Sequence, residues 1–421
     1  MTTQKLKFKL KLISLIYLLF AAQNANAGGY STSLYSSSGL GNAYAGSATG
    51  SHDISDVFFN PAVSAGNSKK EFIASLSYLR LAIDPDKMSS TNITGIKSGS
   101  DVHNAGTQKL IPAVYFSTPI NNKTAFNLAI TSPFGLETRY KNNWVGRYRA
   151  IDSSISTLNF NPSFAYKILP NLSVGAGLVA QYYKTELSNE SLNPATFLPG
   201  QGRVDGSAWG YGYNLGLKYD INKKLRVGLG YRSHINHTLK GNVSFEDNLL
   251  KSKHSLKTAT PESLTVGLSY DVNTSLQLVA DSTWTRWSRL KKINVNAQTS
   301  PQYLSSSTKF NWNNSFLHSL GANYVINNKN LLRTGFAYEQ EGINIRNREP
   351  KVPSSNKYWL TAGLNHKFQD GLELDVSYIH QIYQVAKINI KDQGSNNVEG
   401  TLYGKYNTSV DVVSLAIKKQ F

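Results

Sequence analysis

The feature that most constrains the fold is the rhythm of the connections. After about residue 70 the chain reads as fourteen strand-like segments, and the links between them alternate long and short. Long links are predicted at roughly 85–108, 133–154, 188–206, 241–260, 288–314, 341–356 and 388–408. Short links fall near 121–122, 169–170, 222–223, 272–274, 327–329 and 369–370. An even number of up-and-down strands, with tight turns at one end and long loops at the other, describes a bacterial outer-membrane barrel. The segments themselves alternate. Leu372, Leu374, Val376 and Tyr378 fall on one face, and Glu373, Asp375 and Ser377 on the other. Leu264, Val266, Leu268 and Tyr270 alternate with Thr265, Gly267, Ser269 and Asp271. A period of two separates the two faces of a strand. A soluble sandwich would alternate as well, so the loop rhythm and the segment lengths carry the distinction.

The ends of the chain agree with export. Lys5, Lys7, Lys9 and Lys11 precede an apolar run, Leu12 to Ala22, that is too short to span a bilayer comfortably. Ala25-Asn26-Ala27 has the form of a cleavage site, so residues 1–27 are expected to be a signal peptide and Gly28 the mature start. No other stretch is apolar enough for a transmembrane helix. In lipid, backbone groups are satisfied only within helices or closed barrels. The C-terminal segment places Val413, Leu415, Ile417, Lys419 and Phe421 on one face. A final amphipathic strand ending on an aromatic residue resembles the signal read by the barrel assembly machinery. The expected location is therefore the outer membrane of a Gram-negative bacterium.

Composition narrows the function. The 24 Tyr, 17 Phe and 6 Trp suit interfacial aromatic girdles. With no Cys there is no disulfide, thiolate metal site or Cys nucleophile. The net charge of +18 includes four leader lysines. The excess that remains could face lipopolysaccharide and other outer-membrane lipid, or favour anionic solutes. It is spread through strands and loops without a dense basic run, which argues against nucleic acid as a partner. His234 and His237, three apart on a strand, should lie on opposite faces and make a poor chelating pair. Gly210, Gly212 and Gly216 lie within an alternating strand with no helix after them, so a nucleotide site is a poor reading. No nucleophile or metal motif stands out. The expectation is no enzyme, no metal and no cofactor.

Residues 28–67 do not read as strand. Gly28, Gly29, Gly39, Gly41, Gly46 and Gly50 mix with Ser37, Ser38, Ala43, Ala45 and Ala48, and Val57, Phe58 and Phe59 make a free tail a poor reading. A compact plug inside the lumen is expected, with the barrel at 68–421. Ser36-Ser37-Ser38-Gly39-Leu40-Gly41-Asn42-Ala43-Tyr44-Ala45-Gly46 followed by Phe59-Asn60-Pro61-Ala62 resembles the N-terminal hatch of the FadL family. Further motifs resemble that family along the mature chain: Ser132-Pro133-Phe134-Gly135-Leu136, Trp144-Val145-Gly146-Arg147-Tyr148, Trp284-Thr285-Arg286-Trp287-Ser288 and Lys357-Tyr358-Trp359-Leu360. Segments 86–108 and 241–260 match it poorly.

The resemblance implies an all-β fold, a fourteen-stranded antiparallel transmembrane β-barrel with the hatch in its lumen, and passive uptake of hydrophobic molecules. Long-chain fatty acids are the first expectation and monoaromatic hydrocarbons the alternative. A surface-binding, adhesin-like barrel and a general porin are the readings from other classes. An acyl carboxylate would want placed cations. Lys357 is the first candidate by its position in the family motif. Arg147, Lys184 and Lys292 are weaker, with solvated or loop roles to set against them. Tyr30, the first large side chain of the mature chain, is expected near the ligand. By resemblance, Asn60, Pro61 and Ala62 form the hatch motif packed near strand three, where hatch movement would open a sideways exit beside about Lys123 to Ser132. Pro133, Phe134, Leu136, Trp144 and Leu290 are candidates for an outer apolar capture groove. A monomer is expected.

Overall fold

The computed structural model describes residues 29–91, 104–192, 199–246, 250–297, 306–391 and 399–421. The proposed signal peptide lies outside the described residues. Residues with alternating outward apolar side chains form twenty strands: β1 (Glu71–Thr91), β2 (Gln108–Pro119), β3 (Thr124–Thr131), β4 (Gly135–Arg139), β5 (Asp152–Leu169), β6 (Leu172–Leu192) and β7 (Pro199–Asp220). There follow β8 (Leu225–Arg232), β9 (Ile235–Phe245), β10 (Leu250–Thr260), β11 (Ser263–Asp271), β12 (Leu276–Thr285), β13 (Lys292–Ala297), β14 (Ser306–Lys309) and β15 (Ser315–Asn327). The last are β16 (Asn330–Gln340), β17 (Lys357–Lys367), β18 (Leu372–Tyr383), β19 (Ala386–Ile390) and β20 (Thr401–Gln420).

Six pairs are single wall strands with a break: β3/β4, β8/β9, β10/β11, β12/β13, β14/β15 and β18/β19. The wall therefore has fourteen antiparallel strands. It closes by pairing β1 with β20, from Glu71 opposite Gln420 to Thr91 opposite Thr401. Closure removes the open sheet edge that lipid would not tolerate. Apolar side chains point outward from it. Leu178 is 71% exposed and Leu415 49%, a surface that fits lipid and not water.

All six short turns occur where the sequence places them. The long links are shorter than expected, because strands continue into them. β6 and β7 have 21 and 22 residues and stay paired from Leu172 opposite Tyr219 to Leu192 opposite Pro199. A membrane strand needs only about 9–11, so this hairpin projects well beyond the bilayer. Trp144, proposed for a surface groove, is instead fully buried and stacked on Tyr140. Leu290 is buried beside Trp287.

Residues 30–64 are almost entirely buried and fill the lumen. They form one helical turn, α1 (Ser37–Leu40), and 3-10 turns at Ser47–Thr49, Ile54–Phe58 and Pro61–Ser64. Side-chain caps start three of them: Ser36 accepts from Gly39 N, Asp53 from Ser55 N and Asn60 from Ala62 N. The hatch is held by placed polar groups. The Asp281 carboxylate accepts from Gly46 N at 2.8 Å and Ala48 N at 2.9 Å. Arg232 donates to Phe58 O at 2.7 Å with its guanidinium 4.2 Å from the Phe58 ring centre.

The strand glycines take their role from this contact. A Cβ at Gly216 would run into Asn60 and Pro61, and one at Gly228 into the Ala48 carbonyl. Asn60-Pro61-Ala62 therefore docks on β6 and β7, with Asn60 Nδ2 donating to Leu217 O at 2.9 Å. The Pro61–Ser64 turn also touches β5 and β3, and the small residues that admit the motif most closely are Gly175 and Gly216.

Candidate functional site

Strand three is where the wall changes. β2 and β3 pair only from Val114 opposite Ile130 to Pro119 opposite Ala125. Above that level Pro133 interrupts the strand, and β4 resumes paired to β5, Gly135 opposite Ser156. Residues 108–113 of β2 thus keep β1 on one side, Arg80 opposite Gln108, and have no ladder to β3 or β4 on the other. Pro112 suits such an edge, since it has no N–H to leave unpaired. The wall joins again higher up. Arg139 N donates to Ala105 O at 2.9 Å, and Glu137 pairs with Lys109 and, at 2.7 Å, with Arg139. The result is a window about six residues tall, roughly 20 Å at strand rise.

The N-terminal strap lies across this window. Thr32 N donates to Pro133 O at 3.0 Å, Gly135 N to Tyr30 O at 2.9 Å, and Thr32 Oγ1 to Ser132 O at 2.8 Å. Ser31 and Phe134 form an antiparallel bridge. Tyr30 anchors the strap, with ring centres 4.9 Å from Trp287, 5.9 Å from Phe134 and 6.3 Å from Trp312. Burial pushes its phenol up to about 12. Gly29 turns in the left-handed region, φ 54°, against the Trp287 indole, where a side chain would not fit. Trp287 reaches this place because β12 breaks there. The turn Trp287–Arg289 fills the space, and Glu262 braces it by accepting from Arg289 Nε and Nη2 at 2.7 Å each and from Arg286 Nη1 at 3.1 Å.

Behind strap and window lies a cavity of about 380 Å³. Its apolar lining includes Leu34, Leu79, Leu81, Ile111, Phe134 and Trp359. Leu110 also lines it and is 63% exposed, so the cavity reaches the outer surface of the wall at the window. The polar end is a row across β16, β17 and β18, in which Lys357 stands opposite Glu339 and Tyr383. Lys357 Nζ lies 3.0 Å from Glu339 Oε1 and 5.0 Å from the centre of the Tyr383 ring. Glu341 is adjacent; it accepts from Gly29 N at 2.9 Å and from Ser354 Oγ. Burial raises the Glu341 carboxyl above the usual range, against the opposing pull of Lys357.

Of the cationic candidates, only Lys357 lines the cavity, and Tyr30 joins it there. Arg147 sits outside, paired with Glu190 and donating to Trp144 O. Lys184 is exposed on β6 and 2.6 Å from Glu186. Lys292 is exposed at the start of β13, opposite Lys309. Arg147 lies in the link between β4 and β5, Lys184 in the second half of β6 and Lys292 at the first residue of β13, and none of the three lines the cavity. Phe134 and Leu136 line the cavity rather than an outer groove. His237 is buried and 2.9 Å from Gln181 Oε1, while His234, in the break between β8 and β9, is partly exposed near Glu262. Sequence reasoning missed Glu339, Glu341 and the strap's backbone bonds. An alternation pattern that puts Arg333 and Glu339 on one face of β16 could have flagged the first.

The family model for the outer membrane protein transport protein family (OMPP1/FadL/TodX) matches residues 18–421. Outer membrane protein P1 of Haemophilus influenzae is 29% identical, over 89% of this chain and 90% of that protein. The long-chain fatty acid transport protein of Escherichia coli K12 is 25% identical, over 92% of this chain and 95% of that protein. Among solved structures, a Pseudomonas aeruginosa FadL homologue superposes with a TM-score of 0.85 at 22% identity, covering 93% of this chain and 99% of that one. The Ralstonia pickettii toluene transporter TbuX gives 0.69 at 21%, covering 94% and 99%.

Proposed function

The chain belongs to the OMPP1/FadL/TodX family of outer-membrane transport proteins for hydrophobic substrates, and from that premise we propose that it takes up long-chain, fatty-acid-like molecules passively through the side of its barrel. The ligand enters among the projecting loops, occupies the cavity behind the strap, and leaves through the window beside strand three into the bilayer. The observation that carries this reading is the window itself: an unladdered stretch of wall, crossed by the strap and backed by an apolar cavity. A cavity of this size lies within the range of about 300–1,000 Å³ that holds small ligands. Lateral exit suits an apolar solute, which gains nothing from an aqueous pore. The long acyl chain, rather than a compact arene, is favoured by the name of the Escherichia coli relative and by a lining that runs from Trp359 to Leu110. The filled lumen weighs against a general porin, and an adhesin has no use for a hatch.

The test is accumulation of a labelled long-chain fatty acid by cells lacking other such carriers, with and without this protein, alongside planar-bilayer conductance. Protein-dependent accumulation with no open-pore conductance is expected. Porin-sized conductance, or no accumulation of any hydrophobic solute, overturns the reading.

A further inference from the structure

We infer that the polar end of this cavity is built for an uncharged hydroxyl, so that long-chain alcohols are bound in preference to the corresponding carboxylates. The inference rests on the uptake reading above and narrows it to the chemistry of the head group. Both lysines that line the cavity are already held by acids: Lys109 by Glu137, and Lys357 by Glu339 at 3.0 Å with Glu341 close by. Around Lys357 one ammonium therefore faces two carboxyl groups. A ligand carboxylate placed there meets like charge and must compete with Glu339 for the same cation.

The open hydrogen-bonding positions ask for something else. Glu339 is only 7% exposed, and its Oε2 has no hydrogen-bond partner among the described residues. That atom is a buried, unpaired acceptor on a residue that lines the cavity. Leaving it unpaired is costly, and a ligand O–H that donates to it removes the cost. Trp359, two residues along the same face from Lys357, is 1% exposed, and its indole N–H also lacks a partner. It is a second unpaired group on the cavity lining, a neutral donor on the strand next to the one that carries Glu339. A hydroxyl can both donate and accept a hydrogen bond; a carboxylate can only accept. Glu341 adds no vacancy, because both of its oxygens are engaged, by Gly29 N and Ser354 Oγ.

The experiment is competitive binding of 1-dodecanol, dodecanoate and dodecane to the purified full-length protein in one detergent, read by quenching of intrinsic tryptophan fluorescence. At about pH 8 all carboxylate probes are ionised, and dodecanol is expected to bind at least about tenfold more tightly than either other ligand. Glu339→Gln leaves Lys357 less neutralised, so the alcohol preference over dodecanoate should shrink to about threefold or less. The native protein gives a second readout that does not depend on the variant folding. Below about pH 4 the acid probe is protonated and becomes a donor, and its affinity should approach that of dodecanol. Dodecanoate binding as tightly as dodecanol at the higher pH, or dodecane matching dodecanol, overturns the head-group inference and leaves uptake standing. Failure of all three ligands to bind overturns the uptake reading, and this inference with it.

Discussion

The strap across the window can be locked. Ser31 and Phe134 are directly paired in an antiparallel bridge, a pairing in which Cα atoms sit about 4.5–5.5 Å apart. That lies inside the span of about 4.4–6.8 Å that a disulfide bridges. The chain has no Cys of its own, so Ser31→Cys with Phe134→Cys introduces one unambiguous cross-link. Three hydrogen bonds tie the strap to residues 132–135. At a net ~0.5–1.5 kcal/mol each they hold it by about 1.5–4.5 kcal/mol. From these three bonds alone the open fraction would lie between roughly one in ten and one in two thousand, and the Gly29 bond to Glu341 and the buried Tyr30 ring lower it further. A covalent bond removes it. The assay is uptake of a labelled long-chain ligand into proteoliposomes, comparing the oxidised double variant with the same preparation after reduction. Oxidised protein should transport at about a tenth of the reduced rate or less. The reduced form carries the same loss of the Phe134 ring, so that loss cancels in the ratio. Unchanged uptake by protein whose cross-link is verified by mass spectrometry would refute strap release as a step.

The hatch itself should respond to three other changes. Asp281→Ala strips two buried hatch amides of their acceptor, at a cost of about 1–3 kcal/mol each; amide exchange at Gly46–Ala48 should accelerate at least tenfold while the wall strands stay protected. Gly216→Val pushes into Asn60 and Pro61, an overpacking worth about 1–3 kcal/mol; entry of a bulky hydrophilic antibiotic should rise if the motif seals the lumen, and unchanged exclusion would argue that it does not. Glu341 binds its proton more tightly in the closed protein than in an open chain, because burial raises its carboxyl. Its contribution to closure is therefore full below the ordinary glutamate range, near about pH 4, and is lost as pH rises through the raised value. Hydrogen exchange at 29–34, corrected for intrinsic rates, should show that decline in the native protein and a flatter profile in Glu341→Gln.

The sequence revealed strand number well and strand length poorly, for one physical reason. Within the bilayer one face meets lipid, so Leu372, Leu374, Val376 and Tyr378 alternate cleanly. Beyond it both faces of a hairpin are wet. The last part of β6, Ser188, Asn189, Glu190 and Ser191, falls in the link predicted at 188–206, yet it remains paired with β7 throughout. Polar residues on both faces looked like loop. In the site, Lys357 and Tyr30 came from resemblance to a family motif. Glu339 and Glu341 lie on another strand and the link after it, and nothing local tied them to Lys357. The strap is bound mostly through backbone groups, which leave no side-chain signature.

The distribution of attachments bears on which part of the plug would move. The main body of the hatch is seated by side chains that would be left buried and unpaired if it withdrew: Asp281 beneath Gly46 and Ala48, Asn60 on Leu217, Arg232 on Phe58. Each such loss costs about 1–3 kcal/mol, and more for the charged groups, so moving the body as a unit requires many kilocalories at once. The strap has four hydrogen bonds to the barrel, three to residues 132–135 and one from Gly29 N to Glu341, and the Tyr30 ring contacts, and the window lies beneath it and not beneath Asn60-Pro61-Ala62. On energy alone, release confined to residues 29–34 is the smallest displacement that exposes the cavity to the window. A ligand in that cavity touches Tyr30 and Leu34 directly, and it can favour release only by binding the released form more tightly.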